Sequence, residues 1–469
     1  MKEASIFSIV VSFMVISGCM PDTSGDPPPS DRLIYPVGLA TTASDDYLLV
    51  ANSNFDLRYN AGTLVAIDLK KLEYIQQGGG KETDTDTDAD AGTNTDAGTY
   101  TGINLDEWRS PSGEFLYVPP GELIDPKDTI RMDAFASDLE LTPNMNRALI
   151  PVRGGKERHI LVVEVDETAA NGRVLSCGQG DGLKCDSAHR VTSNEDVTLP
   201  IEPYAVSSMN LSRRIIDDDN REVTVTNTLG FATHLKSGSV SAFIIDNNQG
   251  GLDARLIDVV NNVVKEASGI GVNPINNEIY VSGRENDEQY LAVLKILTGG
   301  LGGTYTNKPY FGVTDKVSYA SDLLGGTDTR GIAVTSDGSD AFVISRTPEA
   351  LLHVDTETRK LIDKTTVGAD PSVAALYEDE TGSYVFVVCY KSNQVFIVET
   401  DTMNVHVRTT GLGPQAVAFD KKRKLAYIAN FTESTISVIH ATPPFDHVRI
   451  AGEKTKLMIG KPHLPEDHN

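Results

Sequence analysis

The chain reads as an all-β protein, a seven-bladed β-propeller of four-stranded antiparallel blades. Three observations predict this. A short unit recurs roughly every 40 residues, each copy being two apolar strands around a polar turn followed by a third strand. A column of small residues returns at one place in the first strand of six of the seven copies. No amphipathic helix is placed to cross over between parallel strands.

The unit is clearest near the C-terminus, where residues 331–345 align without gaps on 416–430. The first strands carry an apolar residue at Leu39, Leu139, Val206, Ile270, Ile332, Val373 and Val417. The next residue is Ala40, Glu140, Ser207, Gly271, Ala333, Ala374 or Ala418. Second strands fall at 47–52, 147–152, 222–227, 278–283, 340–345, 384–389 and 425–430. Third strands fall at 63–68, 159–166, 239–246, 290–296, 350–356, 394–400 and 435–441. Alternation, β-branched and aromatic enrichment and polar turns support strands throughout. Inner strands crowd the axis of a propeller, so a side chain facing the next blade there must be small. A β-sandwich of unrelated strands has no reason to repeat that column. Glu140 is its one exception, and a charge there needs a partner or a wet channel. The propeller spans 32–452, leaving 453–469 as a C-terminal tail.

Val-Thr-Val-Thr-Asn at 223–227 and Ala-Tyr-Ile-Ala-Asn at 426–430 resemble the Tyr-Val-Thr-Asn signature of YVTN-type seven-bladed propellers, as does the leading proline at Pro36, Pro203, Pro371 and Pro414. The resemblance covers residues 32–452 and is crisp in the last two to three repeats. It implies architecture and transfers no catalytic residue. The superfamily it points to holds lactonase-like and quinoprotein-like relatives beside binding and surface proteins.

At the other end, Lys2 precedes an almost wholly apolar run, 4–16, too short to span a membrane. It ends in Ile16-Ser17-Gly18-Cys19, which resembles the lipobox of bacterial lipoproteins. That resemblance implies a signal peptide at 1–18, cleavage before Cys19 and acylation of its thiol, so the membrane is one partner. Residues 19–31, rich in Pro, Asp and Ser, read as a disordered tether. Met20 rather than Asp after the cysteine favours the outer membrane, so the address is the cell envelope. Net charge is −25, from 41 Lys+Arg against 66 Asp+Glu, which excludes nucleic-acid binding.

Cys177 and Cys185 bracket a glycine-rich loop that closes easily, which predicts a local disulfide. Cys389 reads as a buried small hydrophobe. An Asp/Thr-rich insertion at 78–101 buries nothing and is expected to be disordered. Its Asp84, Asp86, Asp88 and Asp90 invite a Ca²⁺ loop, but Ala89 stands where the turn glycine belongs and Thr95 where the bidentate Glu belongs. Insertions at 213–221 and 297–307 are expected between strands. Trp108, the only tryptophan, either packs the returning chain onto the first blade or stacks a ligand. No metal is assigned, and no phosphate loop, nucleophile elbow or haem-attachment motif occurs.

The first functional reading is therefore a lipid-anchored, monomeric propeller of the envelope that binds or scaffolds an unidentified protein or small molecule. Its site lies on the face formed by residues just before the inner strands: Asp138, Tyr204, Arg330, Asp370 and Gln415. The alternative is a lactonase-like hydrolase using a channel carboxylate, Glu140 or Asp138. A cofactor-dependent oxidoreductase is a third reading, and no cofactor ligand is visible for it.

Overall fold

The computed structural model describes residues 25–78, 104–154, 158–178, 184–216, 221–248, 251–285, 289–297, 310–319 and 328–462. Seven sheets stand in a ring as the blades of a β-propeller. Inner strands are Pro36–Thr41, Glu140–Leu141, Pro203–Ile216, Ala267–Asn273, Thr329–Val334, Pro371–Asp379 and Pro414–Asp420. The small column is in register in all seven. Ala40, Glu140, Ser207, Gly271, Ala333, Ala374 and Ala418 lie opposite Leu49, Leu149, Phe231, Tyr280, Phe342, Val387 and Tyr427 of the second strands. Both faces of each sheet are covered by neighbouring blades, so a second strand runs apolar at successive positions, as in the fully buried Leu48, Leu49, Val50 and Ala51.

A second small column sits two residues earlier, because alternate strand residues share a face: Gly38, Ala205, Gly269, Gly331, Ser372 and Ala416, with Asp138 in blade 2. The crowding is measurable. A Cβ on Gly38 would lie 2.5 Å from the Leu139 Cβ of the next blade, and one on Gly269 would lie 2.1 Å from the Arg330 carbonyl oxygen. The exceptions to both columns, Asp138 and Glu140, therefore fall in the same blade, the one whose inner strand is only two residues long.

Four boundaries differ from the sequence reading. The second strand of blade 3 is Glu222–His234, not 222–227. Its β-branched alternation continues past Asn227, and Val206 pairs with Ala232 as Val417 pairs with Ile428. His234, not Asn227, is thus the counterpart of Asn430, and the 223–227 segment lies on a hairpin extension beyond the blade. Residues 213–216 belong to the inner strand of that hairpin rather than to an insertion. The tail contributes Lys456–Ile459, a four-residue outer strand of blade 7 too short to leave a periodic signal. Finally, the described end of the tether is held: the carbonyls of Gly25 and Asp26 accept hydrogen bonds from Asn60 at 2.7 and 3.1 Å.

Ring closure uses the first blade's insertion. After its third strand, Gly62–Asp68, the chain forms the helix Leu69–Gln76, whose N-terminus is capped by the Asp68 carboxylate accepting from Lys71 N at 3.0 Å. Leu69, Leu72 and Ile75 face the core one helical turn apart. The chain returns through Leu105–Trp108 to Phe115–Val118, which pairs in parallel with Lys456–Ile459 of blade 7 before Ile124–Met132 completes blade 1. Arg109 clamps this clasp through a two-pronged pair with Glu453, at 2.7 and 3.0 Å. Trp108 packs half-buried on the apolar core shared by blades 1 and 7.

Cys177 and Cys185 form a disulfide, and Cys389 is free and buried. The signal segment, Cys19, the 79–101 part of the Asp/Thr tract and the 298–307 part of the second insertion lie outside the described residues. Among the described residues no helix is long and apolar enough to cross a membrane.

Candidate functional site

Each blade closes at one end by the same backbone hydrogen bond. A residue at the end of the second strand or just after it donates its N–H to a carbonyl ahead of the inner strand, directly before it in six blades and five residues before it in blade 2. The seven pairs are Ser53 to Tyr35, Arg153 to Phe135, Leu235 to Glu202, Arg284 to Glu266, Arg346 to Asp328, Tyr390 to Asp370 and Phe431 to Gly413, at 2.8 to 3.2 Å. Six of the acceptors have positive φ, Tyr35, Phe135, Glu202, Glu266, Asp370 and Gly413, and non-glycine residues seldom hold that conformation without support from their surroundings. The repeated bond supplies this support. It also fixes two residues per blade around the rim of the central channel.

Below the rim the channel widens into a cavity of about 260 Å³. Asp138, Glu140, Tyr204, Arg330 and Gln415 all line it, together with Arg346. Asp370 does not. Its carboxylate forms an ion pair with Arg346, with Lys391 3.6 Å away.

The two carboxylates in the small columns stitch blade 2 to blade 3. Asp138 accepts from Val206 N at 3.0 Å and from Leu139 N at 2.9 Å. Glu140 Oε1 accepts from Ser208 N at 2.8 Å, Ser208 Oγ at 3.1 Å and Ser207 Oγ at 3.3 Å. Ser137 Oγ donates to the Tyr204 carbonyl at 2.7 Å. These bonds replace the close backbone packing that small residues allow elsewhere in the ring. Burial in the channel pushes the Asp138 carboxyl up to about 6. Burial, reinforced by the negative charge of Asp138, pushes Glu140 up to about 8.

The rim is cationic on one side. Arg284 lies 4.5 Å and Arg153 5.7 Å from the centre of the Tyr204 ring, so blades 2 and 4 place guanidiniums against an aromatic of blade 3. Arg330 is neutralised in place by Asp328 at 2.6 and 2.9 Å, as Arg346 is by Asp370. Glu202 and Glu266 stand in the same rim. Even so, among the described residues Arg153 and Arg284 have no carboxylate within ion-pair distance, and the buried Nε of each lacks a hydrogen-bond partner. Burial and the positive charge of Arg330 both hold Arg284 and Arg346 below the ordinary guanidinium value. Such a site favours an incoming negative charge.

Sequence reasoning found Tyr204, Arg330 and Gln415 by looking just before the inner strands. It missed Arg153, Arg284 and Arg346, although each directly follows a second strand as read from the sequence, at 147–152, 278–283 and 340–345. The periodicity that located the strands also marked that position.

A second cleft, about 1020 Å³, lies away from the channel between the clasp and residues 31–33. Trp108 and Tyr117 line it with Pro119 and Pro120, so Trp108 both packs on the core and borders open space. Among the described residues no three His, Cys, Asp or Glu side chains are grouped to hold a metal ion.

No family model and no curated protein matches this chain. Among solved structures it is similar to hydrazine synthase from Kuenenia stuttgartiensis, with a TM-score of 0.53 at 10% identity, covering 88% of this chain and 97% of that one. A protein from Lactobacillus plantarum gives 0.47 at 12% identity, covering 81% and 86%. A periplasmic gluconolactonase from Pseudomonas aeruginosa gives 0.45 at 11% identity, again covering 81% and 86%. At such identities these similarities extend to the propeller fold and no further.

Proposed function

We propose that this protein is a binding module of the cell envelope that takes an anionic ligand at the channel rim. The observation that carries the reading is the convergence of Arg153, Arg284, Arg330 and Arg346 around Tyr204, two of them without a neutralising carboxylate. In a chain of net charge −25, cations gathered at one concave place are a feature that solubility does not require. The geometry suits recognition, since guanidiniums present forked donors to carboxylate or phosphate oxygens.

The test is calorimetric titration of the soluble propeller with citrate. Arg284→Gln is expected to weaken binding about tenfold or more, and added salt is expected to weaken it further at the exposed rim. Wild-type protein that takes up no citrate, or a variant that binds it equally well, refutes the reading.

The hydrolase alternative rests on Asp138 and Glu140 lining the cavity beside the same arginines. It is less well supported. A base acting on a lactone must be ionised, whereas Glu140, at about 8, is mostly protonated at neutral pH. Both oxygens of Asp138 are already engaged by backbone N–H groups.

Attachment through an acylated Cys19 completes the proposal. Membrane association is then hydrophobic and resists high salt, while Cys19→Ser is expected to release the protein or leave it unprocessed. Wild-type protein recovered wholly in the soluble fraction with an unmodified terminus refutes the anchor.

A further inference from the structure

The rim that carries the arginines has a second half, and it is aromatic. Tyr35 and Phe135 occupy left-handed rim positions of blades 1 and 2, and Tyr390 and Phe431 are the rim donors of blades 6 and 7. Phe55, from the loop just after the second strand of blade 1, lies among them. Its ring centre is 6.3 Å from Tyr35, 5.5 Å from Phe431 and 6.0 Å from Phe135. Tyr35 and Phe431 are 5.0 Å apart, and Tyr390 and Phe431 6.4 Å. The rings meet edge-on or tilted, the arrangement aromatic groups prefer.

Inter-blade packing alone does not account for this ledge. Phe55 is 52% exposed; Leu57, two residues on, and Leu412, whose carbonyl accepts from the N–H of Thr432 next to Phe431, are each 42% exposed, three of the seven large exposed hydrophobics among the described residues. The apolar and cationic arcs meet in blade 2 and at the seam between blades 5 and 6. In blade 2 the Phe135 carbonyl accepts from the Arg153 N–H, and in blade 6 the Asp370 carbonyl accepts from Tyr390 while its carboxylate holds Arg346. Phe135, 6.0 Å from Phe55, thus belongs to the same rim bond as Arg153, which brings an apolar and a cationic residue together at one place on the rim. The cavity beneath, about 260 Å³, is below the size usual for enclosing a whole drug-sized molecule. It does not take the ligand whole, which leaves the ligand at the rim, where Arg153 and Arg284 stand against Tyr204.

We infer that the ligand is an amphipathic organic anion, of the aryl carboxylate class. Its carboxylate meets Arg153 and Arg284, and its flat apolar ring extends the edge-to-face cluster at Phe55. This inference rests on the anion-binding reading and narrows it.

The experiment compares three probes on the wild-type propeller by calorimetry: naphthoate, which has ring and charge, propionate, which has charge alone, and naphthylmethanol, which has the ring alone. Naphthoate is expected to bind at least about tenfold more tightly than either of the others, the scale of one good aromatic contact plus its buried area. Phe55→Ser removes an exposed ring with little consequence for folding. It is expected to abolish the preference for naphthoate over propionate while leaving citrate binding unchanged. Citrate bound normally, with naphthoate and propionate equal, overturns the aryl inference and leaves the anion reading standing. Naphthylmethanol bound as tightly as naphthoate overturns it from the other side. Failure of citrate to bind removes the anion reading and this inference with it.

Discussion

Arg423→Met is expected to lower the stability of the propeller by about 3–5 kcal/mol, the cost of stranding a buried charge. Asp420 is completely buried at the end of the inner strand of blade 7, and the Arg423 side chain is only 9% exposed. Arg423 Nη1 donates to Asp420 Oδ2 at 2.9 Å, its backbone N donates to Asp420 Oδ1 at 2.7 Å, and Nε reaches Glu73 at 2.7 Å. Nη1 also donates to the Asp45 carbonyl of blade 1. One guanidinium thus joins the last blade to the turn and the helix of the first, where no peptide bond links them in sequence. Methionine keeps most of the volume and removes every side-chain donor, leaving only the backbone N–H, so Asp420 must either remain charged without its cation or take up a proton. Lys422, a neighbour whose side chain is 54% exposed, provides the control, and Lys422→Leu is expected to change stability by only about 0.5 kcal/mol. Urea midpoints measure both. A double variant, Asp420→Leu with Arg423→Met, is expected to recover part of the loss, because replacing both ions leaves no unpaired charge. Equal midpoints for Arg423→Met and Lys422→Leu would remove the seam from the account of ring closure.

The blade count was legible because crowding at the axis acts on single residues at a fixed place in each repeat. Ala333 and Ala418 occupy that place with the same partners, Phe342 and Tyr427, and local sequence is enough to see it. The clasp was not legible. Phe115–Val118 and Lys456–Ile459 are short strands that pair across more than three hundred residues, and neither carries a period of its own. The helix Leu69–Gln76 was passed over for a similar reason, since its stripe of three apolar residues is brief and follows a strand directly. At the rim, the residues before the inner strands were identified because proline and strand onset mark them. The arginines stand directly after second strands whose ends were read correctly in blades 2 and 4 and to within one residue in blade 5, but a charged residue after a strand looks like any solvated turn. In blade 3 an asparagine that looks like a terminator misplaced the strand end itself. That Arg284 and Arg153 share the face of Tyr204 is a product of ring closure, and no spacing in the sequence encodes it.

Glu140→Gln is expected to remove a pH dependence of stability that amounts to a few kcal/mol in the wild-type protein. Glu140 takes a place that is Ala, Ser or Gly in the other six blades, and its Oε1 accepts three bonds from Ser207 and Ser208. Burial and then Asp138 raise its folded value from 4.5 to about 8. The folded chain therefore keeps a proton that the unfolded chain has already released over that interval. Stability contributed by this group is complete below the unfolded value and is lost as pH rises through the folded one. Each unit of such a shift corresponds to about 1.4 kcal/mol, and water entering the channel reduces the total. Glutamine resembles the protonated acid in shape, offers the same acceptor oxygen to blade 3, and cannot ionise. Urea midpoints taken from about pH 5 to pH 9 are thus expected to lie closest for the two proteins at the acid end, to separate progressively as pH rises toward the folded value of about 8, and to run parallel beyond it, with the variant the more stable. Asp138 titrates in the same direction but is present in both, so it cancels from the difference. Parallel profiles would show that Glu140 is ionised in the folded state, and its carboxylate would then regain a claim as a base. If the profiles diverge, the group beneath the arginines is a neutral acid at physiological pH. A neutral group there neither repels an entering anion nor offers the arginines a competing charge, which is the electrostatic condition that the anion-binding reading requires.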